Sequence, residues 1–371
     1  MAATDGIFAV CLGPRRNEPE QELRFDVGGR FWMPWHEDPF PEGAAHAAVV
    51  TAPWPAPWQL PGWQRMLGAA GAVDESWCVY ELYDGRLAGF AFLESRKVGL
   101  GQSALFCVGG PVGAPLHPQD FGLALRVLAY RQEAVFIQVE PQDEPAAGAF
   151  PAGKWRVASY KRFFEPCTAW VDLSNGESEI LAAMKEKGRY NVRLSQKHGV
   201  EAGPVEPTDE NLDVFMVLLG ETLGRDGFSG NSRAHYRAML DLLTVEEWGG
   251  LFFAKKDGEV LAAGIFSFIG KLGTYYYGAS TSDNAKRKFM PAYALQWRAM
   301  LEAKNRGCAA FDFLGIDDPH GKPGHLAGVT DFKMKFGPNV RRWPAARTLV
   351  TRPWTYRFLR LARWAKRLLR R

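Results

Sequence analysis

One strand-rich pattern occurs twice in this chain. The first copy reads WCVYELYDGRLAGFAFLESRKVGLGQSALFCVGGPVG, from Trp77 to Gly113, and the second LFFAKKDGEVLAAGIFSFIGKLGTYYYGAS, from Leu251 to Ser280. Each runs through an apolar strand, an Asp-Gly turn (Asp84-Gly85, Asp257-Gly258) and a second apolar strand. A short link then leads to a third strand ending in Gly with a small or Pro residue. A stretch of helical character follows each copy. A 371-residue chain with one such duplication folds as two similar α/β units. The cleft between two such units is an expected ligand site.

Charge is distributed unevenly. The net charge is only +4, yet residues 332–371 carry 13 Lys or Arg and no Asp or Glu. The remainder holds 32 basic against 41 acidic side chains. An acidic body with a basic tail suits an anionic partner for the tail. The tail is also patterned. From Pro353, Phe358, Leu361, Ala362, Ala365 and Leu368–Leu369 form an apolar stripe, flanked by Arg357, Arg360, Arg363, Lys366, Arg367, Arg370 and Arg371, with Trp354 and Trp364 suited to an interface. That predicts a basic amphipathic helix over 353–371 lying on an anionic membrane surface. Docking on the protein core and contact with nucleic-acid phosphates are the alternatives. No apolar run approaches the ~20 residues that span a bilayer. The five cysteines lack CxxC spacing, which predicts buried, reduced thiols in a cytoplasmic protein and no metal.

Between these landmarks the pattern predicts a short helix around Trp63–Leu67, a helix over Phe121–Arg131 and a buried strand over Ala134–Val139. Residues 142–153 read as a loop and Phe164–Val171 as a strand. In the segment after Val171, Ser174 or Asn175 is a candidate cap, and Arg189, Arg193 and Lys197 share one helical face suited to an anion. A helix over Asn211–Leu223 is expected to end at Gly224, placing Arg225 in a turn. Pro291–Lys304 reads as a helix and Phe311–Ile316 as a buried strand.

Seven short stretches, taken in order, resemble the FemABX family of peptidoglycan aminoacyl transferases. They are GGPVG (109–113), VDLS through MKEKGRYNVRLSQKHGV (171–200), ETLGRDGF (221–228), YYYGAS (275–280), PAYALQWRAMLEAKNRGCAAFDFLGI (291–316) and DFKMKFGP (331–338), the second counting as two. The resemblance implies an α/β (α+β) fold of two GNAT-like domains with mixed sheets around a central cleft. The first domain would cover 1–165 with 332–350 returning to it, and the second 166–331. The spacing leaves no room for the helical arm that some members carry. The implied activity moves an amino acid from aminoacyl-tRNA, without further cofactor, to the peptide amine of a precursor that is lipid-linked or nucleotide-linked. The enzyme would be a monomer, peripheral on the inner face of the cytoplasmic membrane, serving cell-wall biogenesis and cell shape.

The resemblance also implies roles for residues. Phe332 and Lys333 match the family's FK pair, so Lys333 is the expected catalytic group. Lys333, Lys335, Arg341 and Arg342 are the expected tRNA contacts. Arg225, Tyr277, Ser280, Arg193 and Arg65 are the expected precursor contacts. The chemistry needs such groups: ester aminolysis passes through an oxyanion that a cation stabilises, and phosphates need Arg or Lys clamps. Asp312, Asp317 and Asp318 are positional candidates for the proton acceptor. Asp317, Asp318, His320 and His325 match no familiar metal spacing.

Two other readings stand beside this one. An acyl-CoA N-acyltransferase needs a glycine-rich loop for pyrophosphate. Met290 occupies the glycine position in the second unit's RKFMPA, whereas QDFGLA (119–124) fits in the first. The third reading is a non-enzymatic membrane-associated binding protein.

Overall fold

The computed structural model describes residues 6–11, 22–25, 32–34, 40–113, 115–148, 150 and 155–368. The chain forms two compact units, one of residues 1–50, 56–164 and 343–371, the other of residues 51–55 and 165–342. The return to the first unit therefore begins at Trp343 rather than at Phe332.

Both units use the same plan. In the first, Glu75–Tyr83, Arg86–Gly99 and Gln102–Val108 form an antiparallel meander. Helix Pro118–Arg131 then crosses to Phe136–Glu140, which pairs parallel to Gln102–Val108. In the second, Gly249–Lys256, Glu259–Ile269 and Leu272–Ser280 form the meander, and helix Pro291–Asn305 crosses to the parallel strand Ala310–Ile316. The two Asp-Gly turns explain the matching hairpins. Asp84 and Gly85 have φ of 49° and 67°, and Asp257 and Gly258 have 51° and 82°. Two successive positive φ values give the turn whose twist matches right-handed strands. Further strands extend each mixed sheet. The first reaches Trp32–Pro34 on one side and Arg156–Val157 on the other, the second Glu201–Val205 and Asn339–Arg342.

The expected α/β class with mixed sheets is the one observed. Several boundaries differ. The 142–153 stretch contains a short helix, Glu144–Gly148. Helix Glu177–Ala183 is capped at Gly176, whose N–H donates to the Glu179 carboxylate at 2.8 Å, so neither Ser174 nor Asn175 is the cap. Asp209–Asp226 runs one turn further than the apolar spacing suggested and ends at Gly227, which puts Arg225 in the helix's last turn. Thr208 caps its other end, accepting from the Asn211 N–H at 3.2 Å.

The C-terminal helix, Pro353–Leu368, packs on the first unit through Tyr356 and Leu359, both buried beside Phe106, Val108 and Phe136. Its other face is bare: Trp354 is 79% exposed, Phe358 57%, Leu361 61% and Trp364 59%. The helix thus docks on the core and still presents an apolar ridge. The side chains of Lys366, Arg367, Leu368, Leu369, Arg370 and Arg371 lie outside the described residues. No helix among the described residues is long and apolar enough to cross a membrane.

Candidate functional site

In the second unit the parallel strands pair over only three steps, Leu272–Ala310, Gly273–Phe311 and Thr274–Asp312. Beyond Thr274 they part. A cavity of about 780 Å³ opens there, at the carboxyl ends of the two strands, where α/β sheets place their ligands. Tyr275, Tyr276 and Tyr277 wall one side and Phe313, Leu314 and Gly315 the other.

The equivalent position of the first unit is closed. There the parallel pairing continues through Val108–Glu140, and the Gly109 N–H donates to the Glu140 carbonyl at 2.9 Å. Gln59 fills the remaining space: its amide donates to the Val108 carbonyl at 2.8 Å and accepts from the Phe92 N–H at 2.7 Å. The QDFGLA residues lie inside helix Pro118–Arg131, with Phe121 buried, so they form no phosphate loop. Asp120 in the first turn also repels an anion from that terminus. The first unit's sequence support for acyl-CoA is therefore overturned.

Lys333 sits on helix Ala327–Met334 and is only 7% exposed. Its ammonium donates to the Gly315 carbonyl at 2.7 Å. That carbonyl is aimed by Leu314, a non-glycine residue at φ 59°, whose N–H donates to the Asp312 carboxylate at 2.8 Å. A left-handed leucine is strained and persists only where its surroundings fix it. Asp312 is fully buried and also accepts from the Thr168 hydroxyl. Burial pushes its carboxyl up to about 6, against hydrogen bonds from Thr168 and Leu314 and the charge of Lys333. Burial likewise brings Lys333 down to about 8, opposed by Asp312 and Glu165. Lys333 lines the cavity, and the buried Asp312 lies behind its wall, tied to it through Leu314 and Gly315. Such opposed shifts are typical of groups that handle protons or charge.

Arg225, Tyr277 and Ser280 line the same cavity. Arg225 Nε pairs with Asp226 at 3.0 Å, and its Nη1 reaches the Ser280 carbonyl at 3.4 Å. Ser280 is held by Thr222, whose hydroxyl accepts from the Ser280 N–H at 2.9 Å. The Tyr277 hydroxyl accepts from the Asn231 amide at 2.9 Å and lies 3.1 Å from His235 Nε2. Burial pushes the Tyr277 phenol well up, so it stays neutral. Phe332 and Lys335 also border the cavity, Phe332 edge-on to Tyr293 and Lys335 ion-paired with Asp331.

Four expected site residues do not line it. Arg65 belongs to the first unit, where it pairs with Glu42 at 2.9 Å. Arg193 is exposed on its helix, Arg341 lies over the Trp54 ring at 4.8 Å, and Arg342 pairs with Asp318 at 2.7 Å. Asp317 and Asp318 brace their own loop: Asp317 accepts from the Gly324 N–H at 2.9 Å and Asp318 from the His320 N–H at 3.1 Å. His325 lies 3.5 Å from Glu165. Arg189, from the expected anion-binding face, donates to the carbonyls of Ala182 and Met184 and so closes the preceding helix.

Sequence reasoning missed Asn231 and Arg287 at the cavity, and His235 behind it against the Tyr277 hydroxyl. It also missed Gly188. A methyl group there would come within 2.1 Å of the Lys335 carbonyl. The basic helix therefore rests directly on the backbone that ends the Lys333 helix, and the Lys185 N–H donates to that carbonyl at 3.1 Å. A glycine within KEKGRYNVR was the available signal.

The chain is similar to several known proteins. The lipid II:glycine glycyltransferase of Staphylococcus saprophyticus is 29% identical, over 57% of this chain and 67% of that protein. The Staphylococcus aureus enzyme of the same name is 21% identical over the same shares. Among solved structures, a crystal structure of FemX superposes with a TM-score of 0.76 at 18% identity, covering 87% of this chain and 99% of that one. The C-terminal domain of a putative lysylphosphatidylglycerol synthetase from Agrobacterium fabrum gives 0.50 at 16% identity, over 75% and 85%. The FemAB family model matches residues 163–247 and 250–364, more than half of the sequence and all of the cavity, and the chain belongs to that family.

Proposed function

We propose that the protein transfers an amino acid from aminoacyl-tRNA to an amine on the peptide of a peptidoglycan precursor. The observation that carries this reading is the cavity with Lys333 on one wall and Arg225 on another, inside the segments shared with the FemAB family. The curated relatives are named as glycyltransferases acting on lipid II, which supports the acceptor class. In the reaction the acceptor amine attacks the ester carbonyl of the donor. The carbonyl oxygen takes up negative charge, the carbonyl–O(ribose) bond breaks as that oxygen collapses back, and the proton lost by the amine ends on the departing ribose hydroxyl. The ester already carries the activation, so no further cofactor is required. Lys333 supplies positive charge to the oxyanion, and its burial strengthens that interaction. Arg225 offers an exposed guanidinium on the cavity wall for precursor phosphate, and Tyr277 and Ser280 orient the substrate beside it. Lys335, Arg341 and Arg342 belong to the contiguous basic segment available to tRNA phosphates.

The acceptor is tested by mass. A precursor pentapeptide with a free side-chain amine should gain one aminoacyl residue, and the same precursor with that amine acetylated should gain none. Gain on the acetylated precursor would sink the reading. Arg225→Ala should raise KM for the precursor about tenfold or more with kcat little changed, the loss expected for a charge-assisted hydrogen bond. An unchanged KM would remove Arg225 from the acceptor site.

The enzyme works at an anionic membrane surface, on the cytoplasmic side, through the C-terminal helix. Its bare ridge of Trp354, Phe358, Leu361 and Trp364 supplies the apolar contact and its arginines the charge. Deleting the helix would also strip Tyr356 and Leu359 from the first unit's core, so the sharper test replaces the four ridge residues by serine. Binding to vesicles containing phosphatidylglycerol should fall at least tenfold with the melting temperature retained. Undiminished binding would contradict the anchor.

A further inference from the structure

A second cavity, of about 750 Å³, lies on the first unit beside the C-terminal helix. Its floor is apolar, formed by Val98, Phe106 and Leu359, and its rim carries Arg96, Lys97, Lys161 and Arg363. Two rim cations are compensated: Arg96 by Glu94 at 2.6 Å and Lys97 by Asp74 at 3.6 Å. The other two rest on aromatic faces, Lys161 over Phe163 at 4.7 Å and Arg363 over Tyr160 at 4.9 Å. Among the described residues neither has an ion-pair partner. Burial, first, and the charges of Arg96 and Arg363 lower the Lys161 pKa, while the carboxylates of Glu94 and Glu140 oppose the shift. An apolar floor under an undercompensated cationic rim matches an amphiphile with an anionic head. A nucleic acid would need no such floor.

We propose that this groove binds the phosphate head of an anionic lipid, with the first part of its acyl chain along Val98, Phe106 and Leu359. Lys161 and Arg363 contact the phosphate. The position fits, because Arg363 and Leu359 share a helix with the bare ridge of Trp354, Phe358 and Leu361. A helix lying in the bilayer interface brings the groove to headgroup level. Leu100, exposed at the hairpin tip bordering the groove, adds a further apolar contact. The inference rests on the membrane-surface reading and is independent of the transfer chemistry.

The test is calorimetric titration of the full chain with dihexanoyl phosphatidylglycerol below its micelle concentration. Dihexanoyl phosphatidylcholine and inorganic phosphate serve as comparison ligands. The expected result is saturable one-to-one binding of the glycerol lipid, at least tenfold tighter than either comparison. K161E/R363E should weaken it tenfold or more, and K161Q/R363Q by an intermediate factor, each with an unchanged melting temperature. Equal binding of the choline lipid would reduce the site to an apolar slot, and equal binding of phosphate would remove the acyl contact. Either would overturn the proposal. So would loss of RNA binding in K161E/R363E with lipid binding intact. Transfer to a soluble precursor by the same variant separates the two readings. It should stay at the wild-type rate, so failure of the lipid site leaves the transfer reading standing and the reverse holds equally.

Discussion

Lys333→Met is expected to lower kcat for aminoacyl transfer about 10²–10³-fold, the usual loss when one donor to a developing oxyanion is removed. Methionine keeps the length and apolar bulk of the stem, so the packing of helix Ala327–Met334 survives and the effect is on chemistry. The ammonium is the active form, which gives the reaction an alkaline limb. As pH rises through about 8, Lys333 loses its proton and kcat should fall. A profile still rising with full slope at pH 9 would contradict the role. Stability responds in the opposite direction. The folded pKa of about 8 lies below the unfolded value of ~10.4. Between those two values the unfolded chain binds more protons than the native one, so unfolding stability rises with pH across that window. The methionine variant should lack this rise. Equilibrium unfolding at pH 7, 8 and 9 checks it, and an identical slope in both proteins would show that Lys333 is not buried as described.

Gly188→Ala is expected to destabilise the second unit by about 2 kcal/mol or more, the upper part of the range for overpacking a close contact. Alanine normally favours a helix over glycine by ~1 kcal/mol, so a loss here would run against propensity. The reason is contact with backbone: the added methyl would meet the Lys335 carbonyl at 2.1 Å, and that carbonyl also accepts from the Lys185 N–H. Either helix Glu186–Lys197 or the end of helix Ala327–Met334 must shift, and the latter carries Lys333. Denaturant unfolding and kcat should therefore fall together. A stabilised, fully active alanine variant would show that the two segments do not touch.

Much of this was legible because it is local. The Asp-Gly turns, the repeated meander, the crossover helices and the amphipathic tail depend on residues close in sequence, and periodicity reports them directly. The family resemblance brought Arg225, Tyr277, Ser280, Phe332, Lys333 and Lys335 forward, and the structure gathers these six around one cavity. What stayed hidden depends on long-range partners. The buried Asp312 is tied to Thr168, 144 residues away, and Lys333 to Gly315. Nothing in the spacing reveals that Leu314 adopts a left-handed conformation or that Gln59 plugs the first unit's strand opening. Arg341 and Arg342 look alike in sequence but find different partners, an indole and a carboxylate. The tail combines two of its expected roles. Its stripe through Phe358 and Leu361 stays exposed, and the docking that the sequence leaves as an alternative runs through a second face, Tyr356 and Leu359.

The most direct test of the central claim is a donor choice. Purified protein is given a peptidoglycan pentapeptide precursor with aminoacyl-tRNA in one tube and acetyl-CoA in the other, and the product masses are read. The account predicts the mass of one aminoacyl residue added from the tRNA tube and an unchanged precursor in the other. Acetylated precursor, with no aminoacyl product, would contradict it.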